Sequence, residues 1–190
     1  MNWDVEMGRL FIAGMLLSLF GGLLCDMVLR QYLREAKHLH KTAFIGMAVT
    51  AVWMAIYGYS MFTLRCALLC HILILAGAAD MATHEIPDVF HLLIGIVGLI
   101  YFEPISAFAG FLLVPLPFLI AALKTGKIGG GDVKLMAACG FTLGVSGGIR
   151  MIIWGLVMAL LWNGAMRREK EKVPLAPFLA FGGFMALLPN

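Results

Sequence analysis

Two aspartates in this sequence stand beside strongly apolar segments, where an ionisable side chain is unusual. Asp80 ends a mostly apolar run, residues 68–79, and Asp132 directly follows the three glycines 129–131. An ionised carboxylate in apolar surroundings is costly, and it is retained chiefly where it has a function. We therefore interpret Asp80 and Asp132 as the residues around which the rest of the chain is organised.

Two carboxyl groups, without a nucleophile or a metal centre, suit aspartic proteolysis. One carboxylate takes a proton from water while its protonated partner polarises the carbonyl group of a peptide bond. This chemistry requires that Asp80 and Asp132 come close together and share one proton. The residues alone leave a second interpretation open, in which Asp132 caps a helix and Asp80 is the buried partner of Lys134 or Lys127.

The composition is that of a membrane protein. Hydrophobic residues occupy 62% of the 190 positions and charged residues only 13%, whereas a soluble domain carries about 25% charged residues. The net charge of +3 indicates little by itself. No basic cluster is interleaved with aromatic residues, so a nucleic-acid partner is not expected. We expect a single transmembrane domain over residues 1–190, surrounded by membrane lipids.

Eight apolar segments divide the chain, which predicts an all-α fold, a polytopic membrane bundle of about eight transmembrane helices. A spanning helix needs about 20 residues, and the fourth and sixth segments are shorter. Six or seven spans with one re-entrant piece are therefore the alternative. The segments cover residues 8–28, 42–62, 65–83, 88–103, 105–123, 132–147, 149–166 and 173–189.

The distribution of lysine and arginine predicts the orientation of the bundle. With eight alternating spans, eleven of these residues fall in one set of loops and three in the other, namely Arg9, Arg65 and Arg150. Loops rich in Lys and Arg face the cytoplasm. We therefore expect the loops at Asp80 and at the glycines to lie on the cytoplasmic side of the cell membrane, with both chain ends outside.

Local signals predict that each aspartate lies near a helix end. Pro87 disfavours helix at the residue before it, so Asp80 should lie one to two turns inside the end of the third segment. Asp88 should cap the fourth segment. Asp132 should open the sixth segment, so both carboxyl groups are expected near the same membrane surface.

The glycine run is predicted to form the loop of the site. Three consecutive glycines are unsuited to lipid-exposed helix, and irregular backbone at membrane depth occurs where it lines a cavity. Glycine also lets a ligand approach the backbone closely. We therefore predict substrate binding or loop support by Gly129, Gly130, Gly131 and Lys134.

No metal site and no cofactor are expected. The four cysteines contain no Cys-x-x-Cys pair of the kind a structural zinc site uses, and we expect them to pack between helices. His71 is expected to be a hydrogen-bonded interior residue. The roles of His84 and His91, which flank the loop after Asp80, stay open.

Three segments together resemble the type IV prepilin peptidases, a family of GxGD-type intramembrane aspartyl proteases. Asp80-Met-Ala-Thr-His-Glu-Ile-Pro-Asp88 resembles their first aspartate motif, and Gly129-Gly-Gly-Asp-Val-Lys134 their Gly-x-Gly-Asp motif. Residues 174–180 are similar to their C-terminal Pro-Phe-Leu-Ala segment. The resemblance implies that Asp80 and Asp132 are the catalytic pair. It also implies cleavage of the N-terminal leader of type IV pilin-like precursors at the cytoplasmic face, before the apolar helix.

The loop between the first two segments departs from the larger members of that family. Those members carry an insertion with paired Cys-x-x-Cys motifs that bind zinc, whereas this loop covers only residues 29–41 and has no cysteine. The chain resembles the short, peptidase-only form of Tad/Flp pilus systems. We therefore expect a type IV prepilin or pseudopilin precursor as partner. The short loop gives N-methyltransferase activity no support, since no S-adenosylmethionine site is recognisable in it, and whether the mature N-terminus is methylated stays open.

Two other functions are compatible with the same residues. Another GxGD-type intramembrane protease would cut within a transmembrane helix instead of at its cytoplasmic border. A small proton-coupled transporter or assembly subunit would use Asp80 and Asp132 as a proton relay, because buried carboxylates and broken helices are usual there too. The lack of an internal repeat in the sequence argues against the transporter.

Overall fold

The fold is all-helical, as predicted. The structure is a computed structural model, and it describes residues 3–32, 40–126, 128–166 and 174–189. No β-strand occurs in these four ranges. The helices, in chain order, are α1 (Trp3–Tyr32), α2 (His40–Tyr57), α3 (Met61–Thr83), α4 (Asp88–Gly98), α5 (Pro104–Leu113), α6 (Leu116–Thr125), α7 (Gly130–Met166) and α8 (Ala176–Leu187).

The helices have the length and apolarity of a polytopic membrane bundle. In the described part of the chain, four helical stretches are long and apolar enough to cross a membrane, and three further apolar helices are shorter. The chain is thus a multi-pass membrane protein, and the predicted fold class is confirmed. The long stretches are Gly8–Met27, Met61–Thr83, Pro104–Thr125 and Gly130–Gly164, and the short helices are Thr42–Tyr57, Asp88–Gly98 and Ala176–Leu187.

The eight predicted segments lie largely in helix, but the structure groups them differently. Helix α4 ends at Gly98, earlier than the fourth segment. The fifth segment is divided into α5 and α6, because Pro115 and Pro117 at the junction have no N–H to donate to the preceding turn. The sixth and seventh segments both belong to α7.

The longest helix, α7, reverses direction at Gly144. A straight helix of its 37 residues would be about 55 Å long, well beyond the ~30 Å of a bilayer core. Gly144 has φ 70° and ψ −176°, a conformation that glycine adopts readily. Gly140 and Gly148, on either side of the break, both pack against the side chain of Val114. Helix α7 therefore consists of two antiparallel halves, which correspond to the two predicted segments.

The interior of the bundle is formed chiefly by α3, α7 and α8. Leu73 of α3, Met136 of α7 and Leu179 of α8 are completely buried in one apolar cluster. Small residues bring the helices close together, since a β-carbon on Gly110 of α5 would collide with the carbonyl oxygen of Gly140 in α7. This packing brings the C-terminal end of α3 close to the N-terminal ends of α7 and α8. The predicted site residues lie at these helix ends.

Candidate active site

Asp80 lies one turn before the end of α3 at Thr83. The helix stops because His84 adopts a left-handed conformation with φ 55°, and its N–H donates to the backbone carbonyl of Asp80 at 2.9 Å. Pro87 then disfavours helix at Ile86. Asp80 itself is only 6% exposed. A carboxyl group is thus held inside the end of the bundle, as the sequence predicted.

The carboxyl group of Asp80 is held by the first residue of α8. The backbone N–H of Ala176 donates to Oδ2 of Asp80 at 3.0 Å. The first N–H groups of a helix have no partner within it, and the helix dipole favours a negative charge there. Sequence reasoning missed this contact. The one sequence signal near this contact was the similarity of residues 174–180, which include Ala176, to the C-terminal Pro-Phe-Leu-Ala segment. That similarity did not predict a bond to Asp80.

Asp132 is the third residue of α7, at the same end of the bundle. Its backbone N–H donates to the carbonyl oxygen of Gly129 at 3.2 Å, which closes the first turn. A β-carbon on Gly131 would lie 3.5 Å from Cβ of Ile86. The start of α7 therefore packs against the segment that follows Asp80, and Asp132 is partly buried beside it.

One cavity of about 340 Å³ is lined by both aspartates. The structure thus brings together two carboxyl groups that are far apart in the sequence, and all six predicted site residues line the same space. The other lining residues are His84, Glu85, Ile86, Asp88, Gly129, Gly130, Gly131 and Lys134.

Lys134 forms an ion pair with Asp88 at the edge of this cavity. Its Nζ donates to Oδ1 of Asp88 at 2.8 Å, and Nδ1 of His91 lies 3.3 Å from the same oxygen. Asp88 is the first residue of α4, and the capping position before it is Pro87, without a side-chain cap. The predicted capping role of Asp88 is therefore not observed, because its carboxylate is bound to Lys134.

The alternative in which Lys134 neutralises a buried Asp80 does not describe this structure. The hydrogen bond of Lys134 goes to Asp88, and the carboxyl group of Asp80 accepts from backbone instead. Lys127, the other partner considered, lies outside the described residues. The arrangement leaves Asp80 available for chemistry in the cavity.

The three glycines provide open space instead of unusual backbone. Gly130 and Gly131 are already part of α7, and none of the three has a positive φ, so the prediction of irregular backbone is wrong for these two. A β-carbon on Gly130 would meet nothing within 4 Å, and one on Gly129 would lie 3.6 Å from Oδ2 of Asp132. The missing side chains therefore keep the cavity open beside Asp132.

His71 belongs to a separate polar cluster between α1, α2 and α3. Its Nε2 lies 3.0 Å from Oγ of Ser18, and its Nδ1 lies 2.9 Å from the carbonyl oxygen of Ala67. The expected hydrogen-bonded interior histidine is confirmed. Among the residues that the structure describes, no group of three or more His, Cys, Asp or Glu side chains is placed to hold a metal ion.

The fold and the site define a class of protein, namely a multi-pass helical membrane protein in which two helices each bring one aspartate into a single cavity. The family model of the Type IV leader peptidase family matches residues 67–164, a region that contains both aspartates. The chain belongs to this family.

Curated relatives carry the name Prepilin leader peptidase/N-methyltransferase. The protein of Burkholderia pseudomallei (strain 1026b) is 32% identical over 158 residues, which cover 74% of this chain and 51% of the relative. The protein of Aeromonas hydrophila is 31% identical over 165 residues, 77% of this chain and 55% of the relative. The protein of Bacillus subtilis (strain 168) is 34% identical over 89 residues, 44% of this chain and 35% of the relative. The chain thus spans about half the length of these relatives or less. No solved structure matches it.

Proposed function

We propose that this protein is a membrane-embedded aspartic endopeptidase that removes the N-terminal leader of type IV pilin-like precursors, with Asp80 and Asp132 as the catalytic pair. The observation that carries the proposal is the cavity lined by both aspartates. Membership of the Type IV leader peptidase family supports the reaction, and the names of the relatives support the substrate class.

Hydrolysis by this pair uses one shared proton. The ionised carboxyl group takes a proton from water, and the water oxygen attacks the carbonyl carbon of the scissile peptide bond. The protonated carboxyl group donates a hydrogen bond to the carbonyl oxygen, which gains negative charge in the tetrahedral intermediate. The C–N bond then breaks, and the departing amine takes a proton from the pair. The products are a leader with a new carboxylate and a mature chain with a new amine.

An extended substrate backbone reaches the two carboxyl groups over the glycines. The first N–H groups of a helix have no partner within it, so Gly130 and Gly131 of α7 offer donors to substrate carbonyl groups. Neither residue has a side chain that would keep the substrate backbone away. The scissile bond would then lie between Asp80 and Asp132.

The cavity is proposed to face the cytoplasm. The eleven-to-three distribution of Lys and Arg between the two sets of loops supports this orientation. A precursor with its apolar helix in the membrane would present the junction of leader and helix at this level. Water from the cytoplasm would reach the carboxyl pair from the same side.

Substitution of each aspartate tests the catalytic assignment. Asp80→Asn and Asp132→Asn preserve side-chain shape but abolish the exchange of a proton between two carboxyl groups. Each variant should insert into the membrane and leave a co-expressed prepilin uncut. Glu103→Gln is the matched control, because this exposed carboxylate lies before α5 and outside the cavity. Normal processing by either aspartate variant would remove that residue from the pair.

Analysis of the product tests the type of protease. Purified protein in detergent should cut a prepilin at the border between leader and apolar helix, with or without a chelator. With S-adenosylmethionine added, mass spectrometry should find no methyl group on the new N-terminus. A cut inside the apolar helix would indicate a different GxGD-type protease. Failure to cut any prepilin, together with proton-coupled transport that requires both aspartates, would favour the transporter.

A further inference from the structure

A long apolar groove runs along the outside of the bundle between α4 and α5. Both helices pack on α7, and the space between them has a volume of about 640 Å³. Leu92 and Ile96 of α4, with Leu99 directly after it, form one wall, and Phe111 of α5 forms the other. Leu92 is 65% exposed and Leu99 is 59% exposed, so nothing in the described part of the chain covers this wall.

Small residues form the floor of the groove. Gly95 of α4 and the alanines Ala137 and Ala138 of α7 line it. A β-carbon on Gly95 would meet nothing within 4 Å, so internal packing does not require a glycine at this position. Small residues let a second membrane helix approach closely. The groove therefore has the surface and the depth to accept an apolar helix.

One end of the groove adjoins the aspartate cavity. Asp88 and Lys134 line both spaces. From Asp88 the groove follows α4 to Leu99, a rise of about 16 Å at 1.5 Å per residue. A peptide that lies across Asp80 and Asp132 would leave the cavity at the Asp88–Lys134 pair and continue directly into the groove.

We propose that this groove binds the apolar helix that follows the scissile bond of the precursor. The inference rests on the proposed function, because it takes a leader-bearing precursor as the substrate. The helix packs along α4 over Gly95, while the leader lies in the aspartate cavity. The docked helix then sets which peptide bond reaches the carboxyl pair, so the position of the cut is measured from the apolar segment.

The ion pair at the junction does not obstruct this path. The side chains of Lys134 and Asp88 are 60% and 76% exposed. An exposed ion pair in contact with water contributes little to stability. The two side chains can therefore rearrange around a passing peptide at little cost.

A second apolar groove, between α2, α3 and α8, is less suited to the same substrate. It has a volume of about 420 Å³ and, among the described residues, shares no lining residue with the aspartate cavity. The contact between α3 and α8 separates the two spaces. Ala176 is bonded to Asp80, and a β-carbon on Gly77 would lie 3.0 Å from Cα of Pro177. A helix in this second groove would be cut off from the carboxyl pair.

Site-specific photocrosslinking tests the occupant of the groove. A photoreactive amino acid is placed at Leu92 or Leu99 in the Asp80→Asn background, and the full-length precursor is co-expressed. We expect adducts with the apolar helix of the precursor, mapped by mass spectrometry. The same amino acid at Ala180, in the groove between α2, α3 and α8, is the control and should give none. Precursor adducts from Ala180 alone, or only lipid adducts from Leu92 and Leu99, would overturn the proposal.

Filling the groove tests its contribution to cleavage. Gly95→Leu should lower kcat/KM for the full-length precursor roughly tenfold or more, chiefly through KM, because an apolar contact surface is blocked. Gly21→Leu on α1, where a β-carbon also meets nothing within 4 Å, should cleave like the wild type. A short peptide that spans the cut site and lacks the apolar helix should be cleaved equally by Gly95→Leu and the wild type.

These experiments distinguish a failure of the groove proposal from a failure of the proposed peptidase function. If the wild type cuts no precursor, the peptidase function itself fails. If the wild type cuts, Asp80→Asn does not, and Gly95→Leu still processes the full-length precursor at the wild-type rate, only the groove proposal fails.

Discussion

Asp80 and Asp132 share one cavity but are positioned by different kinds of contact. The carboxyl group of Asp80 accepts a hydrogen bond from Ala176, so its place depends on the docking of α8 against α3. Asp132 depends on its own helix, because its N–H closes the first turn of α7 on Gly129. Catalytic groups displaced by about 1 Å can lose a hundredfold in rate. We therefore infer that Ala176 is a positioning residue for Asp80.

The space beside Asp132 can be tested with Gly129→Val. A β-carbon at this position would be in ordinary contact with Oδ2 of Asp132, at 3.6 Å. The free energy of unfolding should therefore change by no more than about 0.5 kcal/mol. The added methyl groups would crowd the carboxyl group and exclude water, so prepilin cleavage should fall roughly a hundredfold. Gly21→Val is the control, and wild-type cleavage by a folded Gly129→Val protein would show that the space is not used.

Removal of the ion pair at the cavity edge should have a partial effect. Asp88→Asn should retain substantial cleavage, because the pair is exposed and the carboxyl groups proposed to share a proton are Asp80 and Asp132. Lys134→Met should behave similarly. The measurement is the time course of precursor processing in membranes. Complete inactivation by Asp88→Asn, with the protein still inserted, would place Asp88 in the catalytic pair.

At the scale of the elements, hydrogen bonds connect the break in α7 to two helices that contribute to the site, α3 and α4. The turn at Gly144 frees nearby carbonyl groups from the helical hydrogen-bond pattern. The guanidinium group of Arg65 in α3 donates to the carbonyl oxygen of Thr142. The hydroxyl group of Thr142 donates to the carbonyl oxygen of Ile94 in α4 at 2.8 Å. These two hydrogen bonds connect α7 to α3, which carries Asp80, and to α4, which lines the proposed groove.

Gly144→Ala should destabilise the bundle. The backbone has a positive φ of 70° there, and a β-carbon would collide with Oγ of Ser106. A non-glycine residue in such a conformation costs about 1–3 kcal/mol, and the collision adds to that cost. Thermal unfolding in detergent should show the loss. Gly164→Ala in the same helix is the control, because a β-carbon there meets nothing within 4 Å; equal unfolding of both variants would contradict a tight reversal at Gly144.

At the scale of the whole molecule, apolar and polar surfaces are separated. Leu17 of α1, Ile105 of α5 and Leu123 of α6 are 73%, 89% and 79% exposed. Apolar surface of this extent is covered by lipid in a membrane protein. The exposed Asp88 and Lys134 lie instead at the end of the bundle that holds the aspartate cavity. In the proposed peptidase, water would therefore reach the carboxyl pair from this end, while lipid would surround the helices.

Reporter fusions test the proposed orientation. Alkaline phosphatase, which folds only outside the cytoplasm, should be active when fused after Glu103 and inactive when fused after Thr125. The physical reason is the excess of Lys and Arg in the loops near the aspartates. The opposite pattern of activity would put the aspartate cavity on the outer face and overturn the cytoplasmic assignment.

The sequence by itself determined the class of the protein and the members of the candidate site. Apolar runs are a local property of the chain, so their length and number predicted a polytopic helical bundle without knowledge of packing. The high cost of a carboxylate in apolar surroundings identified Asp80 and Asp132. Their places near the ends of α3 and α7 followed from the local effects of Pro87 and of the glycines.

Only the tertiary structure decided which groups meet. The bond from Ala176 to Asp80, the pairing of Lys134 with Asp88 and the apolar groove beside Gly95 all join residues from different helices. Such contacts depend on the rotation and the close approach of each helix, which are set by the packing of side chains from the whole bundle. No local pattern in the sequence carries that information.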